Sequence, residues 1–404
     1  MSVLFLTHRL PYAPNRGDRI RTFYILRTLA KRWPVHVVSL VHDAEEATHA
    51  PALSAVAASV TTVPVPWLRN RIAAVKTLLT SRERPLTLDL LDAPSLPSTL
   101  DVLIERIRPD VLLTSSSSTA NFALRDRAAA LPLVLDLIDV DSEKWAALAN
   151  AGGWLAPVYR REARALHDFE AQAIAHAFAT CVVNERERAA LSYAAPDQVH
   201  VVPLGVDVGE LQPRTPAVDE PSVVFSGVMS YGPNVDAALW LLDEIWPLVL
   251  RSRPDATLTI VGSNPTRPLR LRAARSANTM VTGAVEDARP YLWRAAVAAA
   301  PLRFARGLQT KVIQSVAAGL PTVITPVVAE GLPEAVMPAC RTAATPKEFA
   351  TAIVDLLALT PEQRRSLAAR ADCTALDSER LLTPLVELIQ RAAQSRAAVS
   401  QRDQ

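Results

Sequence analysis

Short apolar runs alternate with longer amphipathic segments along the whole chain. Most of the runs have the length of a buried strand and end in polar or glycine residues. The runs that we predict as strands are residues 3–7, 35–41, 60–65, 110–115, 132–139, 180–184, 199–203, 223–228, 257–262, 280–285, 296–302 and 322–326. Strands that alternate with helices form right-handed crossovers and parallel sheets. The pattern therefore predicts an α/β fold.

A change in composition near the middle of the chain separates two such sets of strands. Residues 204–221 are rich in proline and glycine, which is typical of a connection. A chain of 404 residues is also too long for one ordinary core. We therefore expect a Rossmann-like domain at residues 1–203, a linker at 204–221, a second Rossmann-like domain at 222–380 and a terminal helix at 381–404.

Composition and charge exclude several classes of protein. Hydrophobic residues make up 50% of the chain and charged residues 21%, which indicates a globular protein with large buried sheets. The net charge is only +2, so nothing in the whole chain favours a nucleic-acid partner. Any basic surface must be local.

Cysteine usage and hydropathy bear on the compartment. Cys181, Cys340 and Cys373 are far apart and lack the spacing of a zinc site, which indicates free thiols in a reducing cytoplasm. Residues 1–8 do not form a signal sequence, and no segment reaches the roughly 20 apolar residues that cross a bilayer. The expected location is cytoplasmic, with a peripheral place on the inner face of the membrane as an option.

That option depends on a basic amphipathic segment at residues 67–84. Its apolar positions keep helical spacing and would form one face: Leu68, Ile72, Val75 and Leu79. Its charged residues are Arg69, Arg71, Lys76, Arg82 and Arg84, against Glu83 alone. Such a helix either lies on anionic lipid or packs its apolar face on its own domain with a solvated basic side. The sequence leaves both interpretations open.

A strand, a basic loop and a helix start follow one another in residues 300–332. The helix pattern begins near Thr310, after the strand at 296–302. The residues that carry charge or flexibility there are Arg303, Arg306, Gly307 and Lys311. Free N–H groups and the helix dipole favour an anion at such a junction, most plausibly a diphosphate. The alternative is an ordinary Rossmann-like unit whose loop arginines are solvated.

An acidic cluster follows the strand at 132–139. Asp139, Asp141 and Glu143 alternate, which suggests a metal site, but no glycine-bearing calcium loop follows them. The cluster is instead interpreted either as a helix start capped by Asp141 or Ser142 or as a contact to an acceptor. No metal site is predicted.

Four motifs resemble the GT-B glycosyltransferases of family 4, and within it the sugar transferases associated with exosortase-type exopolysaccharide systems. They are HR.PY.PN.GD.IR from His8, DVDSEKW from Asp139, the GxMxYxPN loop from Gly227, and PLR.ARG.Q.K from Pro301. The last is followed by A.AAGLPTV.T and EGL. The motifs occur in both halves of the chain, so the resemblance covers most of its length.

The resemblance implies a GT-B fold, in which two doubly wound Rossmann-like domains face a cleft. The first domain would bind the acceptor, the second the nucleotide-sugar, and the terminal helix would cross back onto the first. It further implies a hexosyltransferase-type enzyme that moves a sugar from a UDP- or GDP-sugar to a saccharide or lipid-linked acceptor with retention. No tightly bound cofactor or metal is implied.

The resemblance also assigns roles to individual residues. The catalytic candidates are Arg306, Lys311 and His8. The donor-binding candidates are Gly227, Met229, Asn234, Gly283, Arg303, Gly307, Leu308, Gln309, Thr310 and Gln314. The acceptor-side candidates are Arg16, Gly17, Asp18, Asp139 and Asp141.

Two departures from the family pattern keep other functions open. The two glutamates of the family correspond here to Arg306 and Gln314, so both carboxylates are missing. A glutamine can accept a hydrogen bond from ribose, but a neutral acceptor contributes less than a charged one. The alternatives are a non-catalytic subunit of a polysaccharide complex that binds a sugar nucleotide, and a nucleotide-sugar epimerase, whose acid and base groups are not seen together in the sequence.

Overall fold

The computed structural model describes residues 1–12, 17–214, 216–305 and 308–402 and divides into two compact units. Unit 1 comprises Met1–Pro203 and Leu382–Gln404, and unit 2 comprises Leu204–Leu381. Each unit has one parallel sheet with helices between its strands. The prediction of an α/β fold with two doubly wound sheets is therefore confirmed.

Unit 1 contains a seven-stranded sheet with the order β3-β2-β1-β4-β5-β6-β7. Its strands are β1 (Val3–Thr7), β2 (Val35–Val41), β3 (Ser59–Pro64), β4 (Val111–Ser115), β5 (Leu133–Ile138), β6 (Ala179–Val182) and β7 (Val199–Val201). Its first ten helices are α1 (Gly17–Ala30), α2 (Ala44–Thr48), α3 (Ala50–Leu53), α4 (Trp67–Thr80), α5 (Leu86–Leu90), α6 (Leu96–Ile107), α7 (Ser117–Ala123), α8 (Asp141–Asn150), α9 (Ala156–His176) and α10 (Glu185–Ala190). A 3₁₀ helix spans Asp126–Ala130.

Unit 2 contains a six-stranded sheet with the order β10-β9-β8-β11-β12-β13. Its strands are β8 (Ser222–Ser226), β9 (Thr257–Val261), β10 (Thr279–Val281), β11 (Val297–Ala300), β12 (Thr322–Ile324) and β13 (Cys340–Thr342). Its helices are α11 (Val208–Leu211), α12 (Gly232–Trp240), α13 (Trp246–Ser252), α14 (Arg267–Ala273), α15 (Arg289–Trp293), α16 (Thr310–Ala317), α17 (Pro326–Ala329), α18 (Pro346–Leu357), α19 (Pro361–Ala368) and α20 (Ser378–Leu381). A π-helix spans Leu241–Ile245, and 3₁₀ helices span Glu334–Ala339 and Cys373–Leu376.

The last helix, α21 (Thr383–Arg402), belongs to unit 1. Its buried residues Leu385 and Ile389 join the core that also contains Val3 and Phe5 of β1. The helix covers one face of the first sheet because its apolar stripe has the helical period of 3.6 residues. Residues 204–214, expected as part of a linker, contain α11, whose Leu211 is buried in unit 2.

The central strands are apolar on both faces because helices cover both sides of each sheet. All five residues of β1 and all four of β11 are buried. Such runs are the clearest strand signal, and each predicted strand is present. β13 was missed because its three residues, Cys340, Arg341 and Thr342, include two polar side chains and do not form an apolar run.

Both sheets have the same topological switch point. β1 pairs with β2 and β4 in unit 1, and β8 pairs with β9 and β11 in unit 2. At these strands the chain turns to opposite faces of the sheet, which leaves a crevice at their carboxyl ends. The loops that follow β8 and β11, and those that follow β1 and β4, are therefore where ligands are expected.

Candidate functional site

The loop after β8 is packed tightly against the loop after β9. A Cβ atom on Gly262 would lie 1.6 Å from the carbonyl oxygen of Gly227, so no larger residue fits there. A Cβ on Gly227 would lie 2.7 Å from Nδ2 of Asn234 and 3.2 Å from Nζ of Lys311. The N–H of Gly227 donates to the carbonyl of Val261 at 2.9 Å. Glycine at both positions therefore lets the backbone come close to the residues that line the switch point.

Lys311 is the central cation of this region. It lies in the first turn of α16, donates a hydrogen bond to Oδ1 of Asn234, and has its Nζ 5.2 Å from the centroid of the Phe225 ring. Burial lowers the pKa of Lys311 to about 7. Within the described part of the chain no carboxylate forms an ion pair with it. An anion that reached Lys311 would favour the charged amine and raise this pKa.

Arg303 lies in the loop after β11 and is held by an aspartate. Its Nε donates to Oδ2 of Asp236 at 2.9 Å, and its Nη2 donates to Oδ1 of the same carboxylate. The guanidinium also lies 5.6 Å from the centroid of the Trp240 ring. These hydrogen bonds raise the pKa of Arg303 further above its usual value. Asp236 thus fixes the direction of the arginine and balances its charge when no ligand is bound.

The other donor-side candidates lie on α16 or its entry, after β10, or outside the described residues. Leu308, Gln309 and Thr310 form the entry to α16, and Gln314 lies half-buried one turn into it. Gly283 follows β10 with a φ of +74°, a conformation that favours glycine. Arg306 and Gly307 lie outside the described residues.

Two further donor-side candidates, Asn234 and Met229, are buried beside the loop after β8. Asn234 lies in the first turn of α12, which starts at Gly232 with Tyr231 as the cap residue. Its Nδ2 donates to the carbonyl of Val228 at 3.0 Å. The side chain of Met229 is fully buried in the core of unit 2. Only its backbone belongs to the loop, where its N–H donates to the carbonyl of Ser263 at 2.8 Å.

A second polar cluster lies at the carboxyl ends of β4 and β5 in unit 1. The hydroxyl of Ser117 donates to Oδ2 of Asp141 at 2.6 Å, and Nζ of Lys144 donates to Oδ1 at 2.9 Å. Lys144 also lies 3.5 Å from Oδ2 of Asp139. Attraction to Lys144 and His8, together with the hydrogen bonds, lowers the pKa of Asp141 in spite of its burial. The structure thus brings the predicted residues His8, Asp139 and Asp141 into one cluster.

The prediction that Asp141 or Ser142 caps α8 is wrong. The cap residue is Val140, and its N–H donates to Oε2 of Glu187 at 2.8 Å. Asp141 is the first residue of the helix and uses its carboxylate for Ser117 and Lys144 instead. A side chain that already has two partners in the cluster is not available as a cap.

Strained backbone marks the same edge of the first sheet. Ser116 has a φ of +79° and Ile138 a φ of +68°. A branched residue rarely adopts this left-handed conformation, and such strain is concentrated at functional sites. The N–H of Ser116 donates to the carbonyl of Asp136 at 2.8 Å, which holds the two strand ends together.

The loop that carries His8 is organised by Glu46, a buried carboxylate. Glu46 accepts hydrogen bonds from the N–H groups of Leu10 and His42 at 3.2 and 2.9 Å and from Arg19 at 2.8 Å. Nε2–H of His42 donates to the carbonyl of His8 at 2.9 Å. These contacts fix the backbone of His8 at the end of β1.

The remaining acceptor-side candidates are at the start of α1. Gly17 and Asp18 are its first two residues, and Arg16 lies outside the described residues. Further along the helix, Arg21 forms a buried bidentate pair with Asp136 at 2.7 Å for both contacts and donates to the carbonyl of Val202 at 2.8 Å. This pair fixes α1 against β5 below the cluster.

Several residues of these sites were not predicted from the sequence. Asp236 and Phe225 flank the donor-side cations, and Ser117 and Lys144 hold Asp141. Only the serine-rich run after β4 offered a signal, since polar residues at a strand end in a parallel sheet point to a ligand. The partners are distant in sequence, as the separation of 67 positions between Asp236 and Arg303 illustrates.

The described residues contain neither a metal-binding cluster nor a helix that could span a membrane. Among the described residues, no group of three or more His, Cys, Asp or Glu side chains is placed to hold a metal ion. No helix in the described part of the chain has the length and apolar character needed to cross a membrane.

Part of the chain is similar to a known protein family. Residues 220–359, most of unit 2, match the family described as glycosyl transferases group 1. This range contains β8, β11 and α16, and therefore all of the donor-side candidates. No curated protein matches the chain at a significant level.

Similar solved structures cover nearly the whole chain. Sucrose-phosphate synthase from Thermosynechococcus elongatus is 17% identical with a TM-score of 0.69, over 98% of this chain and 100% of that one. Anabaena Alr3699/HepE in complex with UDP is 15% identical with a TM-score of 0.63, over 98% and 100%. WaaG, a glycosyltransferase involved in lipopolysaccharide biosynthesis, is 16% identical with a TM-score of 0.60, over 94% and 98%. The fold is therefore that of GT-B glycosyltransferases, as the sequence predicted.

Proposed function

We propose that this chain is a glycosyltransferase that moves a sugar from a nucleotide-sugar to a saccharide or lipid-linked acceptor. The observation that carries the proposal is Lys311, a partly buried amine without a carboxylate partner among the described residues, at the switch point of unit 2, most of which matches glycosyl transferases group 1. A parallel sheet binds its ligand at this edge, and a helix start with a lysine suits a diphosphate.

The donor would bind in unit 2. Its diphosphate would lie at the start of α16, where Lys311 and the backbone N–H groups can stabilise the charge that develops as the sugar leaves. Gly227 and Gly262 leave room for close approach of the backbone loop. Solved structures of Anabaena Alr3699/HepE carry UDP and UDP-glucose, which makes UDP the first nucleotide to test.

The acceptor would bind at the cluster in unit 1. Asp141 and Lys144 offer a carboxylate and an amine for the hydroxyl groups of a sugar, and His8 lies close to Asp141. Transfer would occur with retention, as the resemblance of the motifs to family 4 implies, with Lys311 and the start of α16 stabilising the leaving diphosphate. Hexosyl transfer in exopolysaccharide synthesis, as in the exosortase-associated subgroup, is the role that the sequence motifs suggest.

A non-catalytic subunit that binds a sugar nucleotide is the second candidate. The observation that favours it is the absence of both family glutamates, at positions occupied by Arg306 and Gln314. Such a protein would bind the nucleotide and leave the sugar intact. Hydrolysis of the donor by the purified protein would distinguish the enzyme from the binding subunit.

We further propose that the chain is cytoplasmic and peripheral, and that α4 meets an anionic membrane. The apolar face of α4 is turned to solvent: Leu79 is 79% exposed, Ile72 64% and Trp67 61%. The helix is held on unit 1 by its small and polar side, where Nδ2 of Asn70 donates to the carbonyls of Leu90 and Asp92 at 3.1 and 2.8 Å. Basic residues beside an exposed apolar face suit anionic lipid.

Thermal unfolding with UDP and GDP tests the central proposal. A nucleotide that binds only the folded chain at about 100 times its Kd adds about 2.7 kcal/mol of stability. We expect one nucleotide to raise Tm and Lys311→Met to remove the effect. If neither nucleotide changes Tm, or if Lys311→Met responds as the wild type does, the proposed donor site is wrong.

A further inference from the structure

The hairpin formed by α8 and α9 has an exposed tryptophan at its tip. The two helices run antiparallel: they are joined by residues 151–155, and the hydroxyl of Ser142 donates to Oε2 of Glu170 at 2.5 Å, near their other ends. Trp154 in the connection is 87% exposed, and Leu148 in the last turns of α8 is 48% exposed. A large exposed aromatic side chain, with a second exposed apolar residue on the same hairpin, indicates a surface that binds a partner or a membrane when the protein functions.

The tip projects beyond the carboxyl edge of the first sheet. The 21 residues of α9 span about 31 Å, whereas the six residues of β5 span about 20 Å. The end of α9 is near the opposite edge, because Phe178 just after it donates its N–H to the carbonyl of Leu133 at the start of β5. The first turns of α9, and Trp154 before them, therefore lie beyond the strand ends.

The base of this projection is fastened to the end of α4. Nη2 of Arg161 donates to the carbonyls of Ser81 and Arg84 at 2.9 and 2.5 Å. The carboxylate of Glu162 accepts from the N–H groups of Leu86 and Thr87, both at 2.8 Å. The hairpin and the segment from α4 to α5 are therefore parts of one rigid structure within unit 1.

The charges around the tip are of the same sign as those of α4. Arg160 and Arg164 are exposed on the first turns of α9, and the carboxylate between them, Glu162, is buried and occupied by backbone N–H groups. A basic border around exposed apolar side chains matches the anionic surface of a bilayer. A basic surface of this kind would repel a second copy of itself, which argues against a symmetric dimer.

We infer that Trp154 and Leu148 insert into the same anionic bilayer as α4, so that unit 1 has two membrane contacts. Tryptophan is favoured at the membrane interface because its ring is apolar and its N–H is polar. Two contacts would fix the orientation of the unit, with the carboxyl edge of its sheet facing the lipid. The inference rests on the proposal that α4 binds a membrane.

Sedimentation with vesicles that contain an anionic lipid tests the second contact. Trp154→Ala should lower the partition coefficient by about tenfold, the loss expected for one partly buried aromatic side chain. The matched control is Phe178→Ala, since Phe178 is an exposed aromatic residue at the opposite edge of the same unit. Equal binding of Trp154→Ala and wild type, or an equal loss in both variants, would overturn the inference.

Fluorescence with brominated lipids gives a second readout that does not depend on lost affinity. Trp154→Phe should still bind the vesicles but should lose part of the quenchable emission of the wild type. Quenching identical to that of the wild type would place Trp154 outside the bilayer and overturn the inference while α4 could still bind. Absence of wild-type vesicle binding would overturn both membrane proposals, whereas a concentration-dependent dimer that Trp154→Ala abolishes would overturn the inference about Trp154. The Tm shift with nucleotide separates any of these results from failure of the proposed transferase.

Discussion

Lys311 donates a hydrogen bond to the side-chain oxygen of Asn234 across the switch point of unit 2. The amine is thereby held against a neutral acceptor and an aromatic ring, with its pKa lowered to about 7 by burial. A cation held in this way has little to stabilise it until an anion arrives. Ligand binding at the proposed donor site should therefore be linked to the uptake of a proton, which can be measured.

Nucleotide affinity should fall as the pH rises above 7. In the free protein Lys311 loses its proton near pH 7, whereas a bound diphosphate favours the charged amine, so binding above pH 7 takes up a proton. The fall can reach tenfold per pH unit until the pKa of the complex is passed. Calorimetry at several pH values measures it, and Lys311→Met should bind weakly with no such slope.

Lys311 should also make the stability of the free protein depend on pH. Stability should rise with pH, whereas nucleotide affinity should fall. The pKa of Lys311 is about 7 when folded and near 10.5 when unfolded, so the charged amine destabilises the fold fully below pH 7 and not at all above 10.5. Lys311→Met should therefore unfold at a higher Tm than the wild type at pH 6, with the difference shrinking toward pH 10. A variant that is less stable than wild type at pH 6 would show that Lys311 has a structural role.

Arg303 should matter for binding and little for stability. Its pair with Asp236 is partly exposed, and exposed ion pairs contribute about 0–1 kcal/mol. Arg303→Ala should lower nucleotide affinity while changing the free energy of unfolding by less than about 1 kcal/mol. The control is Arg253→Ala, because Arg253 forms a comparable pair with Asp255 away from the switch point. Equal affinities for the two variants would remove Arg303 from the donor site.

The fold was more predictable from the sequence than the contacts of the site. The runs at 3–7 and 296–302 identify central strands because both faces of such strands are buried. The partner of Arg303 was not predictable, since Asp236 comes from another loop and nothing local connects the two. A contact of this kind depends on the assembled sheet.

Helix α4 shows a second limit of sequence interpretation. The spacing of its residues predicted an apolar side and a basic side. Spacing alone does not show which of the two sides packs against the rest of the unit. Asn70 and Ala74 are the buried residues of α4, and the apolar face lies outward. The interpretation in which that face packs on the domain is therefore wrong.

Charge reversal on α4 should abolish binding to anionic vesicles. Arg69→Glu combined with Arg71→Glu replaces attraction by repulsion, and each basic residue near an anionic surface contributes about 1 kcal/mol. Nucleotide binding should be unchanged. The control reverses Arg270 and Arg275, two exposed arginines near α14 of unit 2. An electrostatic contact through α4 would be contradicted if salt did not weaken vesicle binding by the wild type. Loss of vesicle binding in the control would contradict it as well.

Glu170 should make the stability of unit 1 depend on pH near neutrality. Burial raises the pKa of Glu170 to about 7 against an unfolded value near 4.5. The ionised carboxylate therefore destabilises the fold increasingly from pH 4.5 up to about 7 and by a constant amount above it. Glu170→Gln should match the wild type near pH 4.5 and be more stable at pH 8. Denaturant unfolding at both pH values measures this, and a constant difference would refute the shifted pKa.

Gln314 is where the two candidate functions differ most. It lies three residues after Lys311 on α16, so the two side chains share one face of the helix. If the site holds the ribose of a nucleotide, Gln314→Glu should raise affinity by roughly three- to thirtyfold, because a charge-assisted hydrogen bond adds about 0.7 to 2 kcal/mol. The same gain in a Lys311→Met background would show that the carboxylate acts on the ligand rather than through Lys311. Turnover should be kept or improved.

A Gln314→Glu variant that binds neither UDP nor GDP would favour the non-catalytic subunit over the enzyme, since a new carboxylate would then only pair with Lys311.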